Sequence, residues 1–150
     1  MKYNKSMTAT AYIYKEGKIL LHMHKKYKTW FPVGGHLEEN EFPHEALIRE
    51  VKEETGFDIK IKRNEFMDEV DLGRVERIPM PFCTCREGIG SDEEFFDFIF
   101  IAYTDDTEPK PQKGESKSFR WFSKTDLETC EKLKPHIKNT ALAVIGAENR

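Results

Sequence analysis

Cysteine is scarce in this 150-residue chain: there are three, an odd number. That argues against a disulfide framework, and Cys83-x-Cys85 has no second pair to complete a four-ligand zinc site. On a strand those two would face one side as small, half-buried residues, and Cys130 reads as helix packing. Long hydrophobic runs are missing too, and no stretch approaches a membrane span. The first residues lack the apolar segment of a secretory signal. No sign of charge dominates. A net charge of -3 with both signs interspersed argues against a stable nucleic-acid complex. There is no internal repeat, low-complexity segment or interdomain linker. Gly88-x-Gly90 lacks the rest of a dinucleotide fingerprint, and the Asp-x-Asp-x-Asp-Gly spacing of an EF-hand is absent. These absences leave a cytoplasmic globular chain, with residues 1–150 as a single domain. A domain of this length buries roughly 68–70% of its unfolded surface, enough for a core without staples.

The pattern along the chain alternates strands with helices. Met7–Tyr14 and Lys18–His24 read as strands joined at Glu16-Gly17 into a hairpin. Lys25–Thr29 is a basic, polar connection before Trp30-Phe31-Pro32-Val33 and the pair Gly34-Gly35. A helix follows, with Pro43 in its first turn and Gly56 just past its end. Leu47, Ile48 and Val51 form its apolar arc. Phe57–Ile61 has strand alternation, and Phe66–Leu72 is a further candidate. Arg77–Cys85, with Pro79 and Pro81, is an edge strand or irregular. Gly88–Glu94 is a loop, Phe95–Tyr103 a buried strand, Asp105–Glu115 a loop and Lys117–Phe122 a last strand. Phe82, Phe95, Phe96, Phe98 and Phe100 read as core. Ser123-Lys-Thr-Asp126 resembles a capping box, and Pro135–Ala147 is the final helix.

Against this ordinary background stands one acidic helix. Glu50, Glu53 and Glu54 lie at i, i+3 and i+4, neighbours on one surface stripe, with Glu41 just before the helix. Like charges so placed repel, and a helix that keeps them has a use for a cation. Taken alone, the stripe also fits a solvated acidic face, which Lys52 interrupts. Its surroundings weigh against that: Gly35, Glu41, Arg49-Glu50, Glu53-Glu54 and Gly56-Phe57 stand at fixed offsets. The run Gly35–Phe57 resembles the signature box of the Nudix hydrolases, in MutT-like form. The strands and helices on either side match that family's plan more loosely.

The resemblance implies an α/β fold, a sandwich of helices around a mixed, curved sheet. It implies hydrolysis of the pyrophosphate linkage in a nucleoside diphosphate derivative with Mg²⁺, for which Mn²⁺ can substitute. Glu50, Glu53 and Glu54 then look like the metal ligands, with Glu41 outside them. Glu50 or Glu53 doubles as general base, a role that falls on different glutamates within the family. Arg49 orients a carboxylate four residues away, and Glu45 precedes Arg49 by the same step. Gly34 and Gly35 let the backbone bend beside the phosphates. Glu115, six residues before Trp121, resembles a further loop glutamate of some members, with Glu93 and Glu94 as rivals. Trp30 and Phe31 stack on a base or pack in the core, two readings of equal weight. His22 and His24 share a strand face, more simply as surface histidines than as cleft residues. His36 and His44 flank the loop of the box. The short chain favours a nucleoside triphosphate or other small nucleotide. A nucleotide sugar, ADP-ribose or dinucleoside polyphosphate is the alternative, and a non-catalytic nucleotide sensor is an alternative of another class. No membrane partner is expected, and the oligomeric state, a homodimer included, stays open.

Overall fold

The computed structural model describes residues 4–64, 73–115 and 118–150. Period-two alternation in the first strand sets the layout. Along β1 (Asn4–Lys15), Ala9, Ala11 and Ile13 enter one core, while Thr8, Thr10 and Tyr12 lie on the opposite face. Among the described residues, β1 is the spine of an eight-stranded mixed sheet. It runs parallel to β7 (Glu93–Tyr103) and antiparallel to both β2 (Lys18–Met23) and β4 (Val33–His36). β3 (Trp30–Phe31) and β8 (Phe119–Phe122) pair with β2, and β5 (Lys60–Ile61) and β6 (Cys83–Glu87) pair with β7. The parallel β1–β7 contact needs a crossover, and the connection includes α1 (Pro43–Thr55).

Helices cover both faces, as in an α/β/α sandwich. α1 lays Ala46, Leu47 and Val51 on Ala9, Ala11, Phe100 and Ala102. On the reverse face, α2 (Lys124–Thr129) and α3 (Pro135–Glu148) bring Leu127, Ile137, Ala141 and Val144 against Tyr12, Ile99 and Ile101. Local chemistry fixes the helix ends. The Phe42 amide donates to Glu45 Oε1 at 2.9 Å, and Pro43 follows in the first turn, where no N–H is needed. Gly56, at φ 76, closes α1 with its amide on the Lys52 carbonyl. Ser123 and Asp126 exchange side-chain bonds with each other's amides to open α2. Among the described residues no helix is long and apolar enough to cross a membrane.

Several expectations change. Ile48 is 47% exposed; the buried arc is Ala46, Leu47, Val51 and Thr55 instead. The strand at Phe57–Ile61 shrinks to Lys60–Ile61, because side chains take the backbone groups before it. The Asp58 amide donates to Asp106 Oδ2 and the Asp58 carbonyl accepts from Thr104 Oγ1. Glu93 and Glu94 belong to β7 and not to a loop, because β7 begins two residues earlier, paired to the start of β1. Phe82 and Phe96, expected in the core, are exposed. The stretch through Pro79 and Pro81 is irregular, and the strand there is confined to Cys83–Glu87. The candidate strand Phe66–Leu72 and residue Lys117 lie outside the described residues.

Candidate active site

Two glycines decide how α1 reaches the front of the sheet. Gly34 pairs with Thr10, at φ 150, and a Cβ there would stand 2.2 Å from the Ala9 carbonyl oxygen. Gly35 has a different neighbour: its Cβ would meet the Glu50 carboxyl carbon at 2.5 Å. The space that two methyl groups would fill is therefore taken by backbone at one position and by a carboxylate at the next. Through this gap Glu54 accepts the Gly34 amide at 3.1 Å.

Arg49 organises the acids around it. Its Nε and Nη2 donate to the two Glu41 oxygens at 2.8 and 2.9 Å, a bidentate pair. Nη1 donates to Glu50 at 2.9 Å and approaches Glu53 at 3.4 Å, and Nη2 also reaches the His36 carbonyl. One guanidinium thus ties β4, the loop before α1 and the helix together. Glu45 takes no part in this, because its carboxylate caps the helix.

Burial and like charge act unevenly on these groups. The Arg49 hydrogen bonds and the Glu38 amide hold Glu41 below the ordinary carboxylate range. Burial raises Glu50, against the pull of Arg49. Burial pushes Glu54 up to about 8, helped by the charges of Glu50, Glu115 and Glu53 and opposed by the Gly34 amide. Burial leads both upward shifts, and the neighbouring carboxylates add to them.

Glu115 arrives from the far end of the chain by a backbone device. The last carbonyls of a helix lack internal partners. Here the Lys110 amide donates to the Thr55 carbonyl and the Gln112 amide to the Glu53 carbonyl. The loop is thereby spliced to the end of α1, and Glu115 lines the same cavity as Glu54, Gly34 and Gly35. Glu93 lines that cavity too, whereas Glu94 is 5% exposed and paired with Arg86 at 2.6 Å. Trp30 is not part of the lining. It packs edge-on against Phe122 at 5.1 Å, and its neighbours Tyr27 and Phe31 face the cavity instead.

The cavity holds about 570 Å³, within the roughly 300–1,000 Å³ range of small-molecule sites. Much of its wall comes from residues that no motif in the sequence marks. His22 and His24 line it, against the simpler reading given to them. So do Lys25 and Lys26, from what looked like a plain connection, and Thr8, Thr10 and Asp97 on the floor. One signal was present for Asp97: a lone acid inside the most apolar run of the chain.

The donor set suits a hard divalent ion, which prefers oxygen ligands. Glu50, Glu53 and Glu54 are all carboxylates, and two of them have raised affinity for a proton that a cation would replace. Among the described residues, no three acidic, histidine or cysteine side chains are already drawn around one point.

The sequence matches the NUDIX domain model over residues 5–143. A solved hydrolase of the NUDIX family from Clostridium perfringens is 33% identical, covering 96% of this chain and 98% of that one, with a TM-score of 0.86. The MutT protein from Methanosarcina mazei Go1 shares the fold at 18% identity and TM-score 0.72, covering 100% and 99% of the two chains. An ADP-ribose pyrophosphatase from Streptococcus suis does so at 18% identity and TM-score 0.64, covering 97% and 92%. No curated protein matches the sequence significantly. By the family model and the clostridial relative, the chain belongs to the Nudix family, as a phosphoanhydride hydrolase acting on nucleoside diphosphate derivatives.

Proposed function

We propose that the chain hydrolyses a nucleoside triphosphate or another small nucleotide at its pyrophosphate linkage, with Mg²⁺ bound by Glu50, Glu53 and Glu54. Mn²⁺ substitutes for Mg²⁺ in this reading. The observation that carries it is Glu54: a carboxyl buried behind the glycine gap, raised to about 8 and opening on a nucleotide-sized cavity. A divalent ion held by these carboxylates would supply charge neutralisation for the phosphate oxygens and a more acidic water.

The protein's residues do the rest. Glu50 or Glu53 takes a proton from the attacking water as a P–O bond forms. The bridging P–O bond then breaks, and the leaving phosphate carries away the electron pair. Arg49 fixes the position of Glu50 and Glu41 without touching substrate. Lys25 and Lys26 place positive charge on the cavity wall, where an anionic chain needs it. Glu115 adds a further carboxylate close enough to raise both Glu50 and Glu54.

The test is a panel of nucleotides with Mg²⁺ that includes nucleotide sugars, ADP-ribose and dinucleoside polyphosphates, scored by the phosphates released. Excess EDTA is expected to abolish turnover, and Mg²⁺ or Mn²⁺ to restore it. Undiminished rates in excess chelator overturn the metal assignment. Tight nucleotide binding without turnover in any divalent metal replaces the enzyme with a sensor.

A further inference from the structure

Something has to keep Glu115 where it is. Its charge acts on both Glu50 and Glu54, and like charges push the loop that carries it away from α1. The residue before it is Gly114, at φ 95 with open space where a Cβ would stand, so this is the freest joint of the loop. The splice to α1 ends at Gln112, whose carbonyl accepts the Glu115 amide at 3.1 Å. Downstream, the Ser118 carbonyl accepts from the Met23 amide at 2.9 Å. Gly114 and Glu115 lie between these two anchors.

One side chain reaches into that interval. Lys25 Nζ donates to the Gly114 carbonyl. The backbone under Lys25 is itself held. His24 Nδ1 accepts from the amides of Lys26 and Tyr27 at 3.1 and 3.3 Å. The His24 amide donates to the Thr29 carbonyl at 2.9 Å, and the Lys28 amide to the His24 carbonyl at 3.0 Å, with Lys28 in the left-handed region at φ 56. A ring nitrogen accepts only when it carries no proton. Burial, Lys134 and Lys26 keep His24 below its ordinary value, which suits that neutral ring. The ring also lies 4.7 Å from Tyr27 and 4.9 Å from Phe31. The residues between β2 and β3 thus form a closed turn, and the Lys25 side chain leaves it from a set place.

An exposed lysine on a carbonyl is by itself an ordinary surface contact, worth little. Two observations set this one apart. His24, Lys25, Gly114 and Glu115 line the large cavity and also a second one of about 500 Å³ beside it, so the contact is the bar between the two. The ammonium also stands one residue from Glu115, and brings positive charge to a loop that Glu50 and Glu54 drive outward.

We infer that Lys25 is a positioning residue: it straps Gly114 to the turn after β2 and so holds the Glu115 carboxylate at the cavity against the repulsion of Glu50 and Glu54. The inference rests on the hydrolase reading above, in which Glu115 belongs to the site. Lys25 acts through Glu115 and forms no bond in the reaction. With the strap cut, the loop turns about Gly114 and Glu115 moves toward water, away from the place where the other acids gather.

The test measures kcat and KM on the best-cleaved nucleotide of the panel above, with Mg²⁺, in Lys25→Met, Lys25→Arg, Glu115→Gln and the double variant Lys25→Met/Glu115→Gln. Hydrogen exchange of the metal-free protein runs beside it. Lys25→Met is expected to lower kcat by roughly ten- to a hundredfold, the scale of a misplaced group, with a far smaller change in KM. Lys25→Arg keeps a donor and the charge, and recovers most of that loss. Once Glu115→Gln is in place, Lys25→Met costs nothing more, because the two residues act as one unit. The Gln112 and Glu115 amides exchange roughly tenfold faster in Lys25→Met, the loss of one charge-assisted hydrogen bond. Additive losses in the double variant, a wild-type kcat in Lys25→Met or in Glu115→Gln, or a rise in KM alone overturns the inference. If the wild type cleaves no member of the panel, the hydrolase proposal fails separately. Exchange then decides the strap by itself: faster exchange in Lys25→Met upholds it, and an unchanged rate overturns it.

Discussion

A methyl group added at Gly35 and the Glu50 carboxyl cannot occupy the same place, since they would stand 2.5 Å apart. Gly35→Ala is therefore expected to swing Glu50 away and to lower kcat/KM by about a hundredfold, the cost of displacing a reacting group by an ångström. Tm should move far less than activity, and a variant with wild-type kcat/KM would show that Glu50 has no fixed place in catalysis. Glu53→Gln and Glu54→Gln keep the size of the side chain and remove its charge. Each should cut turnover by orders of magnitude with the fold intact by circular dichroism. A solvated acidic face would be indifferent to such swaps, so near-wild-type rates in both would end the assignment of these residues.

The helix shows why some of this was readable and some was not. Glu50, Glu53 and Glu54 share a stripe by local geometry alone, and no knowledge of the sheet is needed to place them together. The apolar side was read one residue too wide. Leu47 is fully buried and Ile48 is 47% exposed, because α1 meets the sheet through its small Ala46 face. Urea unfolding can separate them: Leu47→Ala should cost about 2–5 kcal/mol, and Ile48→Ala about 0.5 kcal/mol or less. The opposite wall of the cavity was hidden for a different reason. Thr8 and Asp97 meet across 89 residues through the parallel β1–β7 pairing, and no local period announces such a register. Trp30 and Phe31 illustrate the same limit. Alternation says that they part company, but only the packing on Phe122 says which one leaves the cleft.

At the scale of the whole molecule, the site stores unfavourable charge. Glu54 is raised from 4.5 to about 8 and Asp97 from 3.8 to about 7. Both bind a proton more tightly folded than unfolded, so their contribution is complete below the unfolded values and is lost as pH rises through the folded ones. Metal-free protein should therefore lose stability between roughly pH 4 and 8 from these two groups, and Mg²⁺ should return part of it by binding only the folded state. Thermal melts in EDTA across that window, repeated with Glu54→Gln, check the sign. The variant should gain on the wild type as pH rises, and parallel curves would show that Glu54 carries no such penalty.

The amides of Lys110 and Gln112 finish the last turn of α1. Acids separated by some sixty positions in the chain thus share one clasp. Warming that frays this turn releases Glu115 in the same event that loosens Glu53 and Glu54. Enzymatic failure on heating would then be abrupt and would run ahead of the loss of the sheet, with the clasp acting as the fuse of the molecule.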